Sequence, residues 1–437
     1  MALPNEIKAE RSDGDLTGLE PRRAALAIVK AALDHRGGLE EALSAPALLR
    51  MDARDRGFAR ALAMTVLRRR GELDRRLQAR LAKPPPDTVL ALLSVGAAQL
   101  LHMEVPSHAA VDTTVELAGE HTSTAPFKSL INAVLRGIAR DGASQTPPEA
   151  LAPDWLYARW RSAYGEDAAR TIAAMTAQEP ATDLTLRYPE DAQGLAEELP
   201  AEVLPGGSLR AARHGDVSEW PGYEAGRWWV QDASAAIPAR LLRIEPGDTA
   251  LDLCAAPGGK ALQLAAAGAR LVALDRSPVR LQRLRQNLAR TRLEAEVLTA
   301  DAARWDDPRQ FDAVLLDAPC TATGTFRRHP DVLWATRPSD IAKLAQVQAR
   351  LLATAADRVR PGGRLVYCVC SLEPEEGEGQ IDAFLASRGD FSLDAIAPCE
   401  GGAPAPCLRL DATLRILPHH LPGGTDGFFI ARLVRLP

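Results

Sequence analysis

No cysteine occurs before residue 254, and the six that follow (Cys254, Cys320, Cys368, Cys370, Cys399 and Cys407) form no CxxC pair. That spacing argues against a zinc knuckle or a disulfide framework and predicts free thiols. No apolar run approaches the roughly 18 residues that span a bilayer, and the opening MALPNEIKAERSDGD has neither a basic n-region nor an apolar h-region. A cytoplasmic protein with no membrane partner is expected. The patterns GxxxxGK[ST] and GxGxxG are also missing, which disfavours a nucleoside triphosphate or a dinucleotide. No His, Cys and carboxylate constellation suggests a metal, no internal repeat is found, and a monomer is expected.

What is present is enough apolar residue for more than one core: 46% hydrophobic and 25% charged over 437 residues, a length that favours two or three domains. The net charge of −5 is unevenly spread, because residues 21–140 carry 18 Lys and Arg against 12 Asp and Glu. A basic amino-terminal region beside an acidic remainder suggests a polyanion partner; a solvated Arg-rich helical surface is the competing explanation.

Residues 1–20 are polar and read as disordered. Pro21 suits a first helical turn, and Leu26, Val29 and Leu33 repeat at helical spacing until His35-Arg36-Gly37-Gly38. The stretch TVLALLSVGAAQLL (88–101) is apolar on nearly every face and is expected to be the central helix of an all-α domain over 21–140. DGASQTPPEALAPDW (141–155) reads as a linker. A helix and the alternating TDLTLRYP place a small α+β subdomain, RRM-like, at 156–225. From 226 to 437 short apolar runs alternate with helical segments: TALDL, LVALD, AEVLT, DAVLLD, RLVYCV and FFIARL. This texture predicts an α/β domain with a mainly parallel, Rossmann-like sheet covered on both faces.

In such a sheet the loop after the first strand lies where a nucleotide-like ligand can approach the backbone. Here that loop is CAAPGGK: Cys254, Ala255, Ala256, Pro257, Gly258, Gly259 and Lys260. The second strand ends in Asp275, placed to accept hydrogen bonds from ribose hydroxyls, and Asp301 follows the third at the expected adenine edge. With both nucleotide motifs absent, these three strand ends favour S-adenosylmethionine.

The fourth strand runs into DAPC (317–320) and the fifth into LVYCVCSLEPEE (365–376), so Cys320 and Cys370 both stand beyond a strand's carboxyl end, where they could share one pocket. Cys368 alternates as a residue buried within the strand would. Two thiols suit one particular problem. Carbon 5 of a pyrimidine is a poor nucleophile until a thiolate adds to carbon 6, and afterwards a proton must leave carbon 5 so that the enzyme sulfur can depart. The start of a following helix favours the thiolate, and SLEPEEGEGQIDAFL offers one, with Pro374 in its first turn and Glu373, Glu375 and Glu376 at its positive end. Asp317 could hydrogen-bond the ring as charge develops.

LDLCAAPGGK, DAPCTATGTFRRHPDVLW and LVYCVCSLEPEE, in this order, closely resemble the Sun (Fmu) family of RNA cytosine-C5 methyltransferases, and RWWVQDASAAIPA (227–239) resembles the segment before their catalytic core. FARALAMTVLRRRGELD and INAVLRGIAR resemble a NusB-like RNA-binding domain. The resemblance implies a class I methyltransferase domain with Cys254 to Lys260, Asp275, Asp301 and Asp317 at S-adenosylmethionine. It also implies Cys370 as nucleophile, Cys320 as the residue assisting release, and ribosomal RNA as partner. The family usually has Ala-Thr before the nucleophile, whereas Cys368-Val369 stand here. A transfer-RNA enzyme, a non-catalytic RNA-binding assembly factor and a protein or small-molecule methyltransferase are the alternatives. Arg327, Arg328 and His329 are read evenly as phosphate contacts or as solvated charge, and His419 and His420 as surface residues.

Overall fold

Two compact units account for the chain, one of residues 1–157 with 333–335 and the other of residues 158–332 with 336–437. The computed structural model describes residues 18–35, 37–143, 145–212 and 215–437. The expectation of disorder over residues 1–20 falls, for residues 1–17, outside the described residues.

The first unit is helical: α1 (Leu19–Asp34), α2 (Gly38–Leu43), α3 (Pro46–Leu49), α4 (Ala53–Arg68), α5 (Arg70–Gln78), α6 (Asp87–His102), α7 (Ser107–Gly119) and α8 (Lys128–Asp141). Helix α6 carries no charged residue between Asp87 and His102, and it buries an unbroken run from Ala91 to Gln99. Its neighbours come close because it is small where they cross: a Cβ at Gly96 would lie 2.6 Å from Leu135 Cδ1 on α8. The one buried amide on this helix, Gln99, is satisfied by Arg22 Nε of α1 at 2.7 Å.

The second unit opens with α9 (Asp154–Tyr164, from Ala158 onward) and α10 (Glu166–Met175), followed by β1 (Thr182–Leu186), α11 (Ala192–Glu198), β2 (Ala201–Val203), β3 (Leu209–Ala211) and β4 (Trp228–Val230). These strands form an antiparallel sheet in the order β2-β3-β1-β4. Leu184 and Leu186 of β1 pack with Leu195 and Trp228, while the alternate residues Asp183 and Thr185 face away from that core, as period-two geometry requires.

The second unit continues with α12 (Ile237–Leu241), β5 (Thr249–Leu253), α13 (Gly259–Ala266), β6 (Arg270–Asp275), α14 (Pro278–Thr291), β7 (Glu296–Thr299) and β8 (Phe311–Asp317). It is completed by α15 (Val332–Ala335), α16 (Pro338–Asp357), β9 (Val359–Val369), α17 (Glu378–Ser387), β10 (Phe391–Leu393), β11 (Leu414–Ile416) and β12 (Phe428–Arg435). The sheet order is β10-β12-β9-β8-β5-β6-β7, with β11 paired to β12. Strands β5 to β9 run parallel, and β12 is antiparallel to β9. The chain moves outward from β5 through β6 and β7, then returns to β8 on the other side. The crevice between the ends of β5 and β8 is therefore the switch point.

Two helices of the sheet domain start at sequence-encoded caps. Ser277 caps α14 by accepting Arg280 N, with Pro278 in the first turn, and Asp340 accepts Arg337 N ahead of α16. Both sheet faces are covered: α12, α13 and α14 pack on one face through Leu262, Leu281 and Leu284, and α16 and α17 on the other through Leu352, Ala355 and Ile381. Each fully buried leucine here contributes about 2 kcal/mol.

A buried ion network joins the small sheet to the rest of this unit. Arg210 of β3 binds both oxygens of Asp183 at 2.8 and 2.9 Å. Arg328 donates to Asp232 at 2.7 Å and lies 3.5 Å from Asp426. Neither even reading holds for Arg327 and Arg328, since Arg327 is 1% exposed and Arg328 is engaged by three carboxylates, which leaves both unavailable to solvent and to a phosphate alike; His329 is exposed. Burial, and then the charge of Asp232, push Asp426 up to about 8. An acid raised on folding binds a proton more tightly in the native state, so its contribution is fully present below its unfolded pKa and is lost as pH rises through about 8. Asp426→Asn is expected to flatten the fall in melting temperature between mildly acidic and alkaline pH. Melts across that range check it, and an unchanged slope would contradict the assignment.

Candidate active site

The loop after β5 is shaped by backbone that few residues tolerate. Cys254 has φ 64° and Gly258 φ 117°, and a Cβ at Gly258 would sit 2.5 Å from Leu284 Cδ1. Ala255 N bonds Leu274 O at 2.9 Å, and the Asp275 carboxylate accepts Ala256 N at 3.2 Å and Ser277 N at 2.8 Å. The loop is thereby pinned to the end of β6. Asp275 is 3% exposed, while Asp301 is exposed and accepts Ala303 N at 3.0 Å.

Whether these residues fit S-adenosylmethionine is tested by Asp252, an acid in the middle of β5 that sequence reasoning overlooked. It is 1% exposed, and neither carboxylate oxygen has a hydrogen-bond partner among the described residues. Burial, and then the charge of Asp317, push it well above the usual carboxylate range. A cationic ligand would relieve it, and S-adenosylmethionine carries both an ammonium and a sulfonium. The donor set fits. The available signal was a lone acid in an otherwise apolar strand.

Across the crevice, Lys260 Nζ donates to Asp317 Oδ2 at 2.7 Å and stands 5.3 Å from the ring centre of Phe428. Burial alone would lower the Lys260 ammonium, but Asp317 together with the nearby Cys368 and Cys370 raises it. Asp317 pairs in register with Cys368, whose sulfur lies 3.5 Å from Asp317 Oδ1. Burial pushes the Cys368 thiol far up. Cys254 is likewise pushed up to about 12 by burial. The remaining pair meets: Cys320 Sγ and Cys370 Sγ are 3.5 Å apart, although 50 positions separate them in sequence. The contact with Cys370, followed by burial, holds Cys320 well above the usual thiol range.

The segment after Cys370 departs from expectation. Gly377 (φ −111°, ψ −95°) breaks the helix predicted across SLEPEEGEGQ, so Pro374–Glu376 is a separate 3-10 turn and α17 begins only at Glu378. None of the three acids before it therefore acts at that helix's end. Glu373 and Glu375 are gripped by Arg159 of α9, the latter at 2.6 Å, and Tyr164 donates to Leu372 O. Glu376 is fully buried between the two cysteine loops. It accepts Thr321 N at 3.0 Å, Gln348 Nε2 at 3.0 Å and Ser371 Oγ at 2.5 Å, together with Thr321 Oγ1. Thr321 follows Cys320 and Ser371 follows Cys370, so one carboxylate ties both loops. His419 and His420 also differ from the surface reading: both are half-buried, His420 Nδ1 accepts Leu417 N at 3.2 Å, and burial pulls that imidazole down to about 4.

With this geometry established, the sequence relatives are informative. Residues 239–434 match the family model for the 16S rRNA methyltransferase RsmB/F, and residues 19–140 match the NusB family. Over 440 residues the chain is 38% identical to the ribosomal RNA small subunit methyltransferase B of Xylella fastidiosa (strain Temecula1), covering 96% of this chain and 98% of that protein. The chain belongs to the RsmB/F family of methyltransferases. Its counterpart of the same description from Pseudomonas syringae pv. tomato is 35% identical over 444 residues, covering 96% and 97%. The solved structure of PH0851 shares the fold over 95% of this chain and 98% of its own, with a TM-score of 0.78 at 24% identity. A methyltransferase homologue from Pyrococcus horikoshii covers 65% of this chain and 95% of its own, with a TM-score of 0.55 at 27% identity. As an RsmB/F member the protein is an S-adenosylmethionine-dependent enzyme. Among the described residues no helix is long and apolar enough to cross a membrane.

Proposed function

We propose that the protein methylates carbon 5 of a cytosine in small-subunit ribosomal RNA, in the cytoplasm, through a covalent bond between Cys370 and carbon 6 of the base. The observation that carries this reading is the 3.5 Å approach of the Cys320 and Cys370 sulfurs beside the Lys260–Asp317 pair. Bound S-adenosylmethionine supplies an electrophilic methyl group. Asp252 would face its positive charge, and the Cys254 to Lys260 loop, Asp275 and Asp301 would hold its remaining parts, with Asp317 between it and the base.

The residues then divide the work. The Cys370 thiolate adds to carbon 6, and the electron pair displaced from the 5,6 double bond makes carbon 5 nucleophilic. Asp317, positioned by Lys260, hydrogen-bonds the ring as charge spreads over it. After carbon 5 has accepted the methyl group, its proton must be taken so that the double bond re-forms and the carbon–sulfur bond breaks. Cys320, whose sulfur stands 3.5 Å from the attacking one, would take that proton as a thiolate after giving its own to solvent. The electron pair of the broken carbon–hydrogen bond would re-form the double bond and expel the Cys370 thiolate. The Cys320 loop is fixed by Glu376.

Incubation with S-adenosylmethionine and unmodified small-subunit ribosomal RNA, followed by bisulfite mapping, is expected to reveal one protected cytosine. Protection confined to transfer RNA would move the substrate, and no protection on any RNA would sink the reading.

A further inference from the structure

Away from the two sulfurs, a cleft of about 280 Å³ opens between the small antiparallel sheet and the α12–α13 side of the catalytic body. Arg187, Arg240 and Arg243 line it, and no aspartate or glutamate does. Three guanidinium groups in one concavity repel one another unless an anion enters. Internal partners relieve them unevenly: Arg243 has Glu400 at 2.8 Å, whereas Arg187 has, among the described residues, only the Arg292 carbonyl at 3.4 Å as an acceptor. Arg240 gives Nη1 to Gly401 O at 3.2 Å and Nη2 to Ser208 Oγ at 2.8 Å, and among the described residues no carboxylate pairs with it. Burial pulls it down to about 10. Arg243 shares Glu400 with Arg432. Among the described residues two donors in the lining have no protein acceptor, Arg187 Nε and the hydroxyl of Thr185, a residue only 3% exposed. The rest of the lining is largely apolar, with Ala239, Ile244 and Ala266 among it.

We infer that this cleft is a second RNA contact, outside the reaction centre, that takes a backbone phosphodiester on the three arginines and Thr185 with the attached ribose against the apolar lining. The chemistry matches term by term. Guanidinium forks bind phosphate oxygens in pairs, the Thr185 hydroxyl adds a donor, and the apolar lining suits a sugar better than it suits a free inorganic ion. The inference rests on the RNA-methylation reading for the identity of its polymer. No bond is made or broken there, and the role is to hold substrate.

The test uses the full-length protein and a fluorescently labelled transcript of small-subunit ribosomal RNA, with binding followed by anisotropy across a potassium chloride series. Arg187→Gln with Arg243→Gln is expected to weaken binding about tenfold and to flatten the log–log salt slope by about 0.7–0.9, one phosphate contact, with kcat at saturating RNA unchanged. Thr185→Val keeps shape and charge and is expected to weaken binding about fivefold, so the proposal stands or falls even if the double variant folds poorly. Inorganic phosphate at constant ionic strength should compete with RNA on the wild type more than on the double variant. Phosphate binding accompanied by unchanged RNA affinity and slope in both variants would identify a small-anion site and overturn the proposal. Wild-type protein that binds no RNA would overturn the methylation reading as well, whereas normal wild-type binding with unaffected variants would overturn the cleft alone.

Discussion

Cys370→Ala is expected to lose methyl transfer by on the order of 10⁴-fold or more, since no other group can supply the covalent activation of carbon 6. Cys320→Ala is expected to do something different in kind: to accumulate a protein–RNA adduct that survives denaturation. The two sulfurs touch at 3.5 Å, yet their surroundings differ. Cys320 is held well above the usual thiol range by its contact with Cys370, by burial and by the charge of Glu376. Deleting it leaves attack and methylation possible and removes the group nearest the carbon–sulfur bond that must break. Cys368→Ala serves as the control, because its sulfur is buried in β9 against Asp317 and pushed far up by that burial. Its loss should cost less than about tenfold in rate. Denaturing gels with labelled RNA and methyl-transfer rates read all three. Equal loss from both active-site changes, with no adduct, would contradict the division of roles.

Glu376 is the second position where a single change should have a large effect, and charge and geometry can be separated there. Alanine would strand the donors of Thr321, Ser371 and Gln348 in a buried site, each unmet group costing about 1–3 kcal/mol. The two cysteine loops would lose their common anchor. Glu376→Ala is therefore expected to lower the melting temperature and to reduce kcat by on the order of 100-fold or more. Glutamine keeps the shape: its carbonyl can still accept from Thr321 N and Gln348, and the hydroxyls of Thr321 and Ser371 can turn to accept from its amide. Only the charge goes. Glu376→Gln is expected to stay within about tenfold of wild type in kcat while Cys320 becomes easier to alkylate at mildly alkaline pH, because one of the charges holding its thiol up has been removed. A general structural role would depress stability in both variants without changing the alkylation profile of Cys320. Wild-type turnover in Glu376→Ala would refute the anchoring role.

The placement of the three motifs at strand ends was legible because local pattern and fold agree there. CAAPGGK must leave β5 through positive φ at Cys254 and Gly258, and small residues are what such a turn demands. The alternation of LVYCVC likewise separated Cys368, buried among strand neighbours, from Cys370 one step beyond the strand. Asp252 was missed because its unpartnered state depends on what the neighbouring strands place around it. Glu376 was misread because three acids before a helical pattern look like a charged first turn until Gly377 breaks the chain between them.

The sequence by itself determined the alternating strand-and-helix texture, the small-residue loop after β5 and the two thiols beyond strand ends, since these follow from periodicity and local backbone preference. Tertiary structure alone decided that residues 320 and 370 meet, that Glu376 joins their loops, that Arg328 is spent on buried carboxylates, and that Arg187, Arg240 and Arg243 converge on one cleft. Those outcomes come from pairs of side chains tens to hundreds of positions apart. A burial penalty or a Coulomb interaction is fixed only when the sheet order brings its partners within a few ångströms.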